Sequence, residues 1–313
     1  MAISANVWLD AIEREYLADF IPAGGGAVRF IVAKTAALEG LVNDLRERAA
    51  VCGLDIVPVS LAAIRLHMLQ NVVFAVVAAL PWERLLRTRL EALVASAGYR
   101  WPKPGAALLL PALAEANGVA AHLLRRDLVQ ALSREIWQDP LLTQDFRNAM
   151  IALLTSRLTG EDVALAEAVM GWLDGTLRSV GQLRQAPIGR RIGRQNARAV
   201  LMSLCRWVRS CGGVGVLLLL DIRQLHRERR AISEGLVYMP AAVMDCYEVL
   251  RQLIDDAGQF PGLFVAVLAD DALLSDDPRR SLGQYTALQM RVWDDVRPQG
   301  GDNPLAPLVR IVA

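Results

Sequence analysis

The apolar positions of this chain follow two rhythms. Short continuous apolar runs, rich in Val, Ile and Leu, occur at Val28–Val32, Leu54–Leu61, Val214–Asp221, Leu263–Ala269 and Leu308–Val312. Glycine or polar turn residues flank most of them, as expected of strands buried on both faces. Over 8–20, 37–50, 191–210, 241–257 and 281–297, apolar residues instead recur at helical spacing. From 62 to 180 the pattern is helical almost throughout, with breaks at Pro81, Pro102–Pro104, Pro140 and Gly160, and 182–189 reads as a loop. Strands alternating with helices predict an α/β protein with a mostly parallel sheet of about five strands. The predicted division is 1–61 as the first part of that core, 62–180 as a helical insertion, and 181–313 as the rest of the core.

Composition narrows this picture. The 313 residues are 54% hydrophobic, enough for a sizeable core. Net charge is +1, so a nucleic-acid surface has to be local. Lysine occurs only at Lys34 and Lys103, and nearly all positive charge is arginine. Codon bias explains that, while phosphate recognition requires local clustering. Cys52, Cys205, Cys211 and Cys246 form no CxxC pair, and with His67, His122 and His226 they assemble no zinc spacing. Free thiols and no metal site are expected. The first residues carry acids and lack a basic leader region. The greasiest stretch, 66–82, is short for a membrane span and contains His67, Gln70 and Asn71. A soluble, cytoplasmic protein is expected.

A phosphate-binding loop belongs between the first core strand and the next helix. Its glycines admit backbone N–H groups to the phosphates, its lysine neutralises charge, and its Ser/Thr holds magnesium. Between strand 28–32 and helix 41–50 stands Ala33-Lys34-Thr35-Ala36-Ala37-Leu38-Glu39-Gly40, without GxxxxGK[ST]. Gly24–Gly26 precede the strand and read as a tight turn. The run VGVLLLLD ends in Asp221, which suits a magnesium-holding aspartate at a strand end or, equally, a plain turn residue. The next residue is Ile222, where hydrolytic enzymes often carry glutamate.

Longer segments then become distinctive: EREYLADFIPAGGGAVRFIV, IGRRIGRQNARAVLMSL, LLLLDIRQL, AAVMDCYEVLRQLIDD, FPGLFVAVLADDALLSDDPRRSLGQYTALQMRVWDDVR and NPLAPLVRI. With these the chain resembles the ATP-binding proteins of BREX-type phage-defence systems, especially those called BrxD. The resemblance covers most of the chain outside its helical middle. It implies an AAA-like P-loop NTPase fold, a role in bacterial antiviral defence, and other defence subunits as partners. It also places Glu39 where the family's lysine stands and Gly40 where its Ser/Thr stands. A carboxylate near phosphate at about 4 Å reverses an interaction worth several kcal/mol. Lys34 precedes the turn. The site is therefore expected to be degenerate, with no bound cofactor; ATP with magnesium, using Lys34 and Asp221, is the alternative.

Between Asp174 and Asp221 lie eight arginines and no acids: Arg178, Arg184, Arg190, Arg191, Arg194, Arg198, Arg206 and Arg209. On one helix from 191, Arg191, Arg194, Arg198, Arg206 and Arg209 fall within roughly 120°, opposite Val200, Leu201, Leu204 and Val208. Acids such as Asp255, Asp256, Asp294 and Asp295 are one set of partners for such a stripe. Double-stranded DNA or an acidic subunit is another, with Arg190 added to the face. His226 reads as a surface loop residue, and His67 and His122 as structural. Three functions stay open: a non-hydrolysing defence subunit that binds a related ATPase, a second copy of itself or DNA; an atypical ATPase; and a DNA-binding module.

Overall fold

The computed structural model describes residues 2–102, 109–227, 235–293 and 303–312. Its described residues form one six-stranded sheet in which every pairing is parallel. The strands are β1 (Ala2–Ser4), β2 (Ala27–Val32), β3 (Leu54–Ser60), β4 (Gly215–Asp221), β5 (Leu263–Ala269) and β6 (Leu308–Val312), in the order β1-β6-β2-β5-β4-β3. The sequence predicts five of these; β1, at three residues, is too short for a periodicity to register. Strands β2 and β4 are near neighbours, with β5 between them.

Alternate residues of a strand face opposite sides, and here both sides are covered. Ile31, Leu217, Leu219, Phe264 and Ala266 join a core cluster with Trp8, Leu9 and Ile12 of α1 (Ala5–Ile12) and Leu38, Leu41 and Leu45 of α2 (Thr35–Val51). Their neighbours Phe30, Leu218, Leu220, Val265 and Val267 are buried as well. That is why these strands read as unbroken apolar runs. Strand β3 is an edge, and its second half alternates in burial, as β6 also does. Pro58 lies in it, where a residue without an N–H is tolerated and deters a further strand.

Two compact units divide the chain: residues 1–80 with 213–313, and 81–212. The expected boundaries at 61/62 and 180/181 are corrected at both ends. Residues 62–80 stay with the sheet, since α3 (Leu69–Ala79) packs on β3. Residues 181–212 go with the helices, because α9 (Ala197–Ser210) spends its apolar face there. Trp207 stacks edge-on against Phe146 at 6.3 Å, and Ser203 Oγ accepts the Thr143 N–H at 3.1 Å. Besides α9, the helical unit contains α4 (Trp82–Ser96), α5 (Leu110–Ala116), α6 (Ala121–Leu132), α7 (Gln144–Thr159) and α8 (Val163–Asp174).

Four helices differ from the pattern. The first helix widens after Ile12 into a π-type stretch through Phe20. Helix α2 begins at Thr35, ahead of the pattern's 37 and of the helix expected from 41, and α9 begins at Ala197 rather than 191. Following α10 (Pro240–Asp255), the predicted helix 281–297 is observed as α11 (Thr286–Val292), and its expected end at 294–297 lies outside the described residues. Among the described residues no helix is long and apolar enough to cross a membrane.

Candidate functional site

All strands being parallel, their carboxyl ends share one edge. Val32 pairs with Ala269, Asp221 with Leu268, and Ser60 with Asp221. In such sheets the ligand crevice lies outside these ends.

The link from β2 to α2 is two residues, Ala33 and Lys34. The Leu38 N–H already donates to the Lys34 carbonyl at 3.0 Å, closing the first helical turn. The segment expected to be a loop is therefore helix from Thr35. Thr35-Ala-Ala-Leu-Glu contains good helix formers and no breaker, and burial of Leu38, Leu41, Leu45 and Ala49 on one stripe holds the winding in place. A phosphate loop needs unwound, glycine-supplied backbone here. Glu39 and Gly40 are exposed in the second turn. A Cβ added at Gly40 meets nothing within 4 Å. Gly40→Ala is therefore expected to raise stability by about 0.5–1 kcal/mol, read as a higher melting temperature; a lower one would mean that the glycine has a conformational task.

The glycines before β2 do have such a task. Gly24 has φ 99°, and a Cβ on Gly26 would lie 2.1 Å from the Ala257 carbonyl oxygen. They make a tight turn against the loop preceding β5.

Asp221 ends β4, and both carboxylate oxygens are engaged by one neighbour. Arg223 Nη2 donates to Oδ2 at 2.6 Å and Nε to Oδ1 at 3.0 Å, while the Arg223 backbone N–H reaches Oδ1 at 3.1 Å. Hydrogen bonding to Asp221 raises the guanidinium pKa against the opposing effect of burial, and the charges of Asp270 and Glu39 add to the rise. Such bidentate pairing is among the stronger polar contacts in proteins. Ile222, next in sequence, is fully buried, so that position faces the core rather than the crevice. Asp221 and Glu39 border a cavity of about 420 Å³ between α2 and β3–β4. Lys34 is exposed and borders another, also about 420 Å³, with Asp271 and Arg310. The structure brings Glu39 to the same cavity as Asp221, and Lys34 to a different one.

The turn leaving β4 holds a second constellation. The sequence expects His226 at the surface; instead it is half-buried, and its Nε2 lies 2.9 Å from the Tyr247 hydroxyl. That hydroxyl donates to the Arg280 carbonyl at 2.6 Å, so it accepts from His226, and the proton belongs on Nε2. Nδ1 is buried with no partner among the described residues. Burial pushes the imidazole pKa down to about 4, with Asp270 opposing and Arg280 assisting. The rest of the basic run after Arg227 lies outside the described residues.

The arginine stripe is also redrawn. Arg190, Arg191 and Arg194 precede α9 and stand in an irregular segment, because Asn196 caps the Gly193 N–H at 2.7 Å and its amide reaches the Arg191 carbonyl at 3.2 Å. Only Arg198, Arg206 and Arg209 are on the helix. Arg206 pairs with Asp139 at 2.8 Å and Arg190 with Asp145 at 3.7 Å; Arg191 donates to the Arg178 carbonyl. Of the acids suggested as partners, Asp255 is engaged by Arg251 and Arg291, and Asp294 and Asp295 lie outside the described residues. Arg178, Arg184, Arg190, Arg191, Arg194 and Arg198 are exposed.

Arg223 is the site residue that the apolar and charge patterns do not single out. Its signal is an arginine two positions after the strand-end aspartate.

A fully parallel, doubly covered sheet, with a helix leaving the first core strand and an aspartate ending an interior strand, defines an α/β protein of the P-loop NTPase type. Residues 123–313 match the family model described as BREX system ATP-binding protein BrxC/D, and the chain belongs to that family. Segment 33–40 lies outside the matched residues. No curated protein and no solved structure gives a match to the chain. Membership in a BREX system implies other defence subunits as partners.

Proposed function

We propose that this protein is a non-hydrolysing BREX family member, acting in defence through its contacts with other subunits rather than through nucleotide turnover. One observation carries the reading: the backbone that should cradle phosphate is wound into α2 within two residues of β2. The pairing of Asp221 with Arg223 adds to it, since a magnesium ion at Asp221 would have to displace a bidentate guanidinium. The partner is another family ATPase or a second copy of this chain. Titration of the full chain with Mg-ATP tests this: no saturable heat is expected, and micromolar affinity, or turnover abolished by Asp221→Ala, would establish the atypical ATPase instead.

A second reading is favoured by the exposed arginines in an acid-free stretch. Arg194 and Arg198 would meet the backbone of double-stranded DNA. Arg194→Ala with Arg198→Ala is then expected to weaken binding about equally across sequences. The salt slope should flatten by roughly one unit per lost phosphate contact. Unchanged affinity and slope would leave a solvated surface only.

A further inference from the structure

The cavity beside Asp221 is not where a phosphate loop would hold its ligand. Leu38, Glu39, Val42, Asn43 and Arg46 border it from α2. They follow one another at one, three, one and three residues, which is one flank of the helix. Arg46 stands eleven residues past the start of α2, about 16 Å along the axis. Opposite lie Pro58 and Ser60 of β3, Leu219 of β4 and the Asp221–Arg223 pair.

Two features of this cleft point to a ligand. Arg46 is half-buried, and its side chain has no hydrogen-bonding or carboxylate partner among the described residues, while other half-buried arginines have one or the other: Arg48 bonds Asp10 at 2.6 Å and Glu13 at 2.7 Å, Arg223 holds Asp221, and Arg29, Arg147 and Arg280 donate to backbone carbonyls. A guanidinium held against apolar walls without an anion forgoes hydration and gains nothing in return. The second feature is the floor, built from Leu38, Val42, Leu219 and Leu268. A cavity of about 420 Å³ is of small-molecule size. Apolar walls with a few convergent polar groups are the usual makeup of such sites.

We infer that this cleft binds a small organic anion, with its phosphate or carboxylate on Arg46 and its apolar body on the floor. Arg223 supplies a second, internally neutralised guanidinium, and Asn43 and Ser60 supply neutral hydrogen-bonding groups. Glu39 is the opposing charge. It precedes Arg46 by seven residues, about 10 Å along the helix, so it weakens the site without abolishing it. Magnesium has no part, because Asp221 is already engaged.

Calorimetric titration of the full chain, without nucleotide or divalent cation, tests this with phenyl phosphate, benzoate and inorganic phosphate. Saturable binding of phenyl phosphate is expected, about tenfold tighter than inorganic phosphate, which leaves the floor uncovered. Benzoate binding as well would assign the site to organic anions generally; its absence would restrict it to phosphate monoesters. Arg46→Ala should weaken binding about tenfold or more, with Arg46→Lys recovering part of it. Glu39→Gln should strengthen it about twofold to threefold. Arg46 is unpaired, so these variants should melt like the parent. No binding of either organic anion overturns the inference, as does binding indifferent to Arg46→Ala, an affinity for inorganic phosphate equal to that for phenyl phosphate, or a requirement for magnesium. None of these outcomes depends on whether Mg-ATP binds elsewhere.

Discussion

Replacing Glu39 with lysine is expected to leave the protein unable to bind Mg-ATP. On charge alone the substitution should help, since exchanging a carboxylate for an ammonium near phosphate is worth several kcal/mol at about 4 Å. Geometry stands against it. Residue 39 is in the second turn of α2, and from Leu38 onward the helix takes up its own N–H groups. A phosphate loop binds chiefly through free backbone N–H groups wrapped around the anion, and a single side-chain exchange does not unwind a turn anchored by buried Leu38 and Leu41. Asp221 also stays closed by Arg223. Adding Arg223→Ala frees the aspartate and should admit magnesium weakly, but hydrolysis should still be missing, because buried Ile222 offers no base for water. Calorimetry with Mg-ATP on the parent, the single and the double variants checks this. Saturable binding by Glu39→Lys alone would show that the lost lysine, rather than the lost loop, is the defect.

Stability should fall as pH drops from about 6.5 to about 4, by up to about 3 kcal/mol. The group responsible is His226, whose folded-state pKa is pushed down to about 4 by burial. The unfolded chain takes up the proton from about 6.5 downward while the folded one resists, so protonation favours unfolding throughout this window. Above it the contribution is complete. The geometry gives the reason: Nε2–H is committed to Tyr247, and a proton on Nδ1 would face buried surroundings without an acceptor. Glu248 works in a different window. Arg251, Tyr285 and Gln252 hold its carboxyl down to about 2 despite some desolvation, so its contribution is present above about 4.5 and is lost as pH falls toward 2. Denaturant melts at pH 7, 5.5 and 4.5 separate the two. His226→Gln, which keeps a donor toward Tyr247 but does not titrate, should flatten the slope between 4 and 6.5. An undiminished slope in that variant would assign the effect to other groups.

Much of the fold was legible because parallel strands buried on both faces leave unbroken apolar runs, as at 214–221 and 263–269, and because amphipathic helices repeat their apolar stripe. The family was legible too, in segments such as LLLLDIRQL and the long run from Phe260. Helix starts were less so: nothing in 33–40 or 191–197 distinguishes a turn from a first helical turn except what each residue packs against. For α2 the buried Leu38 drew the helix back to Thr35, and for α9 the bonds from the Asn196 side chain back to Gly193 and Arg191 hold the preceding turn, so that the helix starts at Ala197 and Arg190, Arg191 and Arg194 stay off it. The α/β class, the strand-end aspartate and the lack of a GxxxxGK[ST] loop could be read from the chain alone, since these depend on residue types at short spacing. That Arg223 occupies Asp221, that His226 packs on Tyr247 and that Arg46 borders a cleft without a carboxylate partner of its own came from the fold. The last two depend on groups brought together from distant parts of the chain. The first depends on a turn whose side-chain geometry is set by the sheet beneath it.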